Sequence, residues 1–253
     1  MRISMFVLGA FAVAAPAADE KPDFTLTAEA YAREYVTDKK AFATKYKGKT
    51  VELTATVWNM RLGSGDVLLN GKPDAKMLEA ICFSALPSKL EDPLRSLSRG
   101  QAVTVRGKQA DSRPGLVGCE FVKIGPSTAI PVTLAGAIAE FKKNATAAEK
   151  KFGGKSVVTR AKVVEVKADE LKGELKLVVT DAAGKGATKV EAVNGIFTTL
   201  QDRKMVLEVL KLKAGDVVVL MGEPQFLANE LRLDQIFLLK EPPPGVKLPG
   251  DKK

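Results

Sequence analysis

The chain repeats itself. Thr27, Glu34, Ala41, Lys45, Gly48 and Lys49 recur as Thr133, Glu140, Ala147, Lys151, Gly154 and Lys155, a constant offset of 106 residues. Val51, Ala55 and Val57 return as Val157, Ala161 and Val163, while Tyr35 and Tyr46 are replaced by Phe141 and Phe152. A second block recurs at an offset of 115, pairing Gly100, Val103, Gly107 and Leu116 with Gly215, Val218, Gly222 and Leu231. Ungapped self-similarity of this kind means one structural unit used twice. The expected domains are residues 26–125 and 130–240, joined by GPSTAIP at 125–131.

Each copy changes its hydrophobic period once. Leu134, Ile138, Phe141, Ala145, Ala148 and Phe152 are spaced by threes and fours, which predicts one helical stripe over 132–152. Ala32, Tyr35, Phe42 and Tyr46 keep a looser version in the first copy, with Thr27 and Thr133 as N-caps. Gly48 and Gly154 end the helices, because a residue without Cβ takes the left-handed cap conformation cheaply. Then VELTATVW alternates apolar and polar residues, the pattern of a half-buried strand. Short strands follow near 66–70 and 77–84, then a broken helix over LPSKLEDPLRSLSRG, then AVTVRG and LVGCEFV. The second copy repeats this at 156–167, 173–181, 188–194, a helix near 197–213, 216–222 and 230–239. Three strands, a helix and two strands is the order of the OB-fold, a five-stranded Greek-key barrel. The expected fold is mainly β: two tandem OB-like five-stranded barrels, each preceded by a helix. Another small α+β sandwich is the alternative.

YKGKT (46–50) and FGGKS (152–156) both contain Gly-Lys-[Ser/Thr], the second half of a phosphate-binding loop. The first half is missing. The required glycine is Ala43 in one copy and Glu149 in the other, and the helix precedes the strand instead of following it. The two tripeptides are helix-to-strand junctions.

MRISMFVLGAFAVAAPA places Arg2 before an apolar run and ends on Ala15-Pro16-Ala17, the layout of a secretory signal peptide over residues 1–17. A retained anchor is the alternative. No cysteine follows the run to carry a lipid, so a secreted or periplasmic location is expected, with no transmembrane segment in the mature chain. The stretch 241–253, EPPPGVKLPGDKK, is expected to be a disordered Pro-rich tail or an extended spacer. The net charge of +9 is spread over both copies and forms no basic run. There is no histidine, which removes imidazole acid–base chemistry, His-activated nucleophiles and His-ligated metals.

The run AFATKYKGKTVELTATVWNM, with ICFSAL, LSRGQAVTVRGK and LVGCEFVKI, resembles the tRNA-anticodon-binding-like OB-fold family. These are exported bacterial proteins with a leading helix, a Tyr-x-Gly-Lys step into strand one, a Gly-Gln-x-Val-x-Val-x-Gly strand four and paired cysteines. The resemblance covers 26–125 well; the second copy reads AGDVVVLMGE at strand four and lacks both cysteines. Members are mostly of unknown function, so the resemblance implies a fold and a compartment but no activity.

Cys82 and Cys119 fall on strands three and five, neighbours in the OB order, and a disulfide is expected in an exported protein. A reduced, buried pair is the alternative. Closing the 37-residue separation stabilises by roughly 3–4 kcal/mol in the chain-entropy model. For a nucleic-acid face, OB-folds need a basic groove with exposed aromatic rings. Thr54, Thr56 and Trp58 on strand one, with Arg61 and Arg106, are the candidates. They make a thin platform, and a Trp58 that plugs the barrel end is favoured over a stacking one. The second copy has Val164 in its place. No carboxylate pair, nucleophile elbow or calcium loop is present, so no catalytic residue, cofactor or metal ligand is assigned. The expected function is an exported, non-catalytic binding or scaffold module. Its loops at 59–66 and 109–115 form a contact rim, and its partner is an envelope protein or a glycan. Single-stranded oligonucleotide binding is the alternative.

Overall fold

The computed structural model describes residues 21–61, 66–70, 80–84, 94–110, 114–169, 174–182, 190–194, 207–227 and 230–251. The signal-like segment, the central residues of both rim loops (62–65 and 111–113) and most of the two inter-strand helices lie outside these residues.

Each copy opens with a short strand that the sequence pattern did not reveal. β1 (Phe24–Thr27) and β7 (Ile130–Pro131) are too short to show a period. They pair in parallel with the first long strand of their copy. The predicted single helix is two in each copy: α1 (Ala28–Thr37) and α2 (Lys39–Tyr46), then α3 (Leu134–Lys143) and α4 (Ala145–Phe152). The apolar stripe runs straight through both breaks, which is why it reads as continuous. Asp38 and Asn144 cause the breaks. Each has extended backbone, and its side chain accepts from the amides of the following helix. Thr27 and Thr133 cap the first helices as predicted. Gly48 and Gly154 follow the second helices at φ of 68° and 64°, the left-handed geometry their position calls for.

The strands are β2 (Thr50–Arg61), β3 (Asp66–Asn70), β4 (Ala80–Ser84), β5 (Ala102–Gln109) and β6 (Gly115–Ile124) in the first copy. In the second they are β8 (Val157–Asp169), β9 (Glu174–Asp181), β10 (Val190–Asn194), β11 (Val217–Leu227) and β12 (Glu230–Leu239). Each copy forms its own six-stranded sheet, and the strand order is the same in both. β2 pairs with β3 on one side and β5 on the other, and β4 pairs in parallel with β6. The ladder therefore returns to its start, as in an OB-like barrel. β8 to β12 repeat the scheme. Even the irregularities repeat: β2 bulges between Val57 and Asn59, and β8 between Val163 and Glu165.

Val51, Leu53, Val57, Val103, Val105 and Leu116 fill the first barrel. An aromatic set from the hairpin of α1 and α2, Tyr31, Phe42 and Tyr46, closes one side with ring centroids 4.8–5.1 Å apart. Tyr31 is fully buried, its hydroxyl has no hydrogen-bond partner among the described residues, and burial raises its pKa. Residues 241–251 correct the sequence expectation. They are ordered and fold back on the second barrel, with Pro243 and Leu248 buried. Two Pro-Gly turns make this possible. Val246 N–H donates to Pro243 O across Pro244-Gly245, and Asp251 N–H donates to Leu248 O across Pro249-Gly250. Gly245 and Gly250 take φ of 81° and 92°, as the third position of a type II turn requires. Pro content suggested an extended spacer; the spacing of Pro and Gly specified turns.

Candidate functional site

The face expected from the sequence is only partly available. Thr54 and Thr56 point outward from β2 and are exposed, as alternation predicts. Arg106 is engaged. It stands opposite Glu52 on one neighbour strand and Glu120 on the other, with contacts of 2.8 and 3.6 Å. This Glu52–Arg106–Glu120 row crosses three strands of the first barrel's outer surface. The side chain of Arg61 lies outside the described residues. Trp58 is the bulged residue of β2. It is half-buried, and the Arg99 guanidinium lies 5.6 Å from its ring centroid.

Arg99, which the sequence reading passed over, turns this corner into a joint between the barrels. Its Nη1 donates to Glu223 at 3.1 Å, and its backbone N–H donates to Ser156 Oγ at 3.2 Å. Thr128 Oγ1 in turn donates to Arg99 O at 2.7 Å. Nearby, Arg95 pairs with Glu208 at 2.5 Å. Ser98 bonds to Ser127 and Thr128 of the connecting segment, whose Ala129 is buried. Trp58 is thus half-buried beneath a guanidinium that itself reaches Glu223 of the second barrel. No motif announces this, because each partner comes from a different part of the chain.

The second barrel presents a face that differs in kind from its counterpart. At the positions matching Glu52, Arg106 and Glu120 in strand pairing, it has Val158, Met221 and Phe237. These three are buried, and with Val219 they pack into the same hydrophobic cluster as first-barrel residues and Leu248. Two domains of the same strand order thus differ on this face: one carries a charged row and the other an apolar one.

Beside the joint runs a groove of about 930 Å³. It is lined by Arg95 and Ser96 of the first barrel, by Val217, Val219 and Leu239 of the second, and by Pro242 and Pro244. Arg160 and Lys240 add positive charge at its rim, opposed by Glu208 and Glu241. Such a surface can hold an extended ligand with both apolar and charged groups. Among the described residues no group of acidic or cysteine side chains is placed to hold a metal.

β4 and β6 are neighbours, as expected for the strands of Cys82 and Cys119. Their register sets Cys82 opposite Gly115, four residues before Cys119. That is an offset of about 13 Å along the strand, against a limit of about 7 Å between bridged Cα atoms. The side chain of Cys82 lies outside the described residues. A bridge would need β4 to slide along β6, and the mass of the non-reduced protein tests that directly. Cys119 itself is buried.

The strand pairings define a protein of two OB-like domains. A family model described as tRNA_anti-like matches residues 1–117, the stretch that includes the first domain. No curated protein matches the chain. Among solved structures, one similar chain is a lipoprotein of Klebsiella pneumoniae named as a candidate nucleic acid-binding protein. It is 16% identical, with 45% of this chain and 93% of that chain covered and a TM-score of 0.36. The SSB domain of a Synechococcus protein is 18% identical over 32% of this chain and 92% of that one, with a TM-score of 0.23. A chain of the Stn1–Ten1 complex from S. pombe is 18% identical over 34% of this chain and 59% of that one, with a TM-score of 0.26. No helix among the described residues is long and apolar enough to cross a membrane.

Proposed function

We propose that the protein is an exported, non-catalytic binding module whose two OB-like barrels act as one body and present the inter-barrel groove to an envelope protein or glycan. The observation that carries this reading is the use made of Trp58 and Arg99. The cation above the one tryptophan in the chain is paired with a carboxylate of the second barrel. Arg106 is held between two carboxylates. An open stacking platform for bases lacks its expected members, whereas a fixed groove between domains is formed.

Oligonucleotide binding is the second reading. Its support is the cluster of exposed lysines on the helical hairpins, Lys39, Lys40 and Lys47 in one copy and Lys142, Lys143 and Lys150 in the other. Fluorescence polarisation with single-stranded oligonucleotides at about 50 and 200 mM salt separates the two. Phosphate-driven binding falls steeply over that range. The first reading expects weak or absent binding at the lower salt, together with retention of an envelope component in a pull-down. Tight and strongly salt-dependent binding would replace it with the second.

A further inference from the structure

We propose that the outer face of the second barrel is a docking site for an extended peptide, and that residues 241–251 are its resident occupant. The partner is a protein segment of the same chemistry: two apolar residues at alternate positions, then a Pro-Gly turn bearing a carboxylate. This rests on the binding-module reading and gives it a ligand class.

The resident segment touches the barrel at few points. Pro243 and Leu248 are buried and Val246 is half-buried, while Pro244, Lys247, Pro249 and Asp251 face solvent. Leu248 and Val246 join the hydrophobic cluster that holds Val158, Val219, Met221 and Phe237. Asp251 accepts from Arg160 Nη1 at 2.5 Å, and its other carboxylate oxygen accepts from Leu248 N–H at 3.0 Å. The segment thus reads as a ligand: apolar anchors, a preformed turn and one charged contact. Both turns are set by Pro-Gly pairs, so little ordering is needed when such a segment docks. Its backbone hydrogen bonds close its own turns, and among the described residues it pairs with no strand of the sheet.

The occupant covers only part of the available surface. Pro242 and Pro244 line the 930 Å³ groove together with Val217, which is 57% exposed. A partner segment that carried the same anchors and also filled the groove would cover more apolar surface than the resident one. Arg160 selects for the carboxylate.

The test uses a labelled peptide of residues 241–253 and the full-length chain. A Val246→Asp/Leu248→Asp chain, whose own segment is displaced, is expected to bind the peptide at least about tenfold more tightly than the unaltered chain, whose site is filled. The same peptide carrying Leu248→Asp is expected to lose at least about tenfold in affinity, as is the wild-type peptide towards the double variant with Arg160→Glu added. A full chain with a protease site inserted after Lys240, cut after folding, provides a second route, since the released segment should exchange with labelled peptide. No binding by the folded variant and no exchange in the cut chain would overturn the proposal and leave residues 241–251 as a fixed clasp. Equal binding of the Leu248→Asp peptide would also overturn it. Neither outcome bears on the oligonucleotide and envelope tests of the module itself.

Discussion

Arg99 and Glu223 couple the two barrels, and Trp58 reports on them. The perturbation is a double-mutant cycle of Arg99→Ala and Glu223→Ala. The side chains are 31% and 18% exposed and meet at 3.1 Å, so the pair is neither freely solvated nor fully buried. Exposed pairs contribute about 0.2–1 kcal/mol and buried ones more, which places the coupling near 1 kcal/mol. Arg99→Ala also removes the cation above Trp58, about 0.5–1 kcal/mol at a half-exposed site. Arg99→Ala should therefore cost about 2 kcal/mol and Glu223→Ala about 1 kcal/mol. The double variant should cost about 2 kcal/mol, not the sum of the singles. A coupling near 1 kcal/mol is a roughly fivefold change in the equilibrium between joined and parted barrels. Trp58 is the sole tryptophan, so its emission in a urea titration follows the joint without a label. Its maximum should move to longer wavelength in Arg99→Ala before the barrels unfold. Additive single effects, or an emission maximum indifferent to Arg99, would refute the assignment of Trp58 and Arg99 to the joint.

Three further outcomes follow from local geometry. Tyr31→Phe removes a buried hydroxyl that has no partner among the described residues and should raise the urea midpoint, with a gain of about 1 kcal/mol; a lower midpoint would mean the hydroxyl is satisfied. Gly107→Ala should cost about 1–3 kcal/mol, because a Cβ there would meet Cys119 Sγ at 2.8 Å and Val117 O at 3.0 Å. The matching Gly222→Ala, whose nearest contact would be 3.1 Å, should cost less in the same thermal melts. The hydrogen bond from Arg160 lowers the pKa of Asp251, so its contribution is present above the ordinary value of 3.8 and lost as pH falls through the lowered one. The protection factors of the Leu248 and Asp251 amides, taken against the intrinsic exchange rate at each pH, should therefore fall on acidification below about pH 4, and Asp251→Asn should abolish that fall.

The duplication was fully legible, because it depends on identity at fixed spacing and needs no knowledge of packing. It yielded the strand order, the capping threonines and the left-handed glycines. The helix breaks at Asp38 and Asn144 escaped, since a good N-cap inside an apolar stripe leaves the stripe intact. The ordering of 241–251 escaped because composition was weighed without the Pro-Gly spacing. The joint escaped for a deeper reason. Whether Arg106 meets a carboxylate depends on cross-strand register, and whether Arg99 does depends on how two barrels dock. Alternation says which side of a strand faces outward but not what stands against it. Of the proposed face, Thr54 and Thr56 are outward residues of β2, as alternation indicates, and Trp58 and Arg106 lie on the expected strands; alternation assigns neither of the latter two a partner.

The contrast between Glu52–Arg106–Glu120 and Val158–Met221–Phe237 bears on how the two domains can be separated. On this face the first domain presents charge to water. The second presents side chains that pack in one cluster with first-domain residues and with Leu248 of its own C-terminal segment. A cut within GPSTAIP would therefore leave part of that apolar row uncovered and make the second domain prone to self-association.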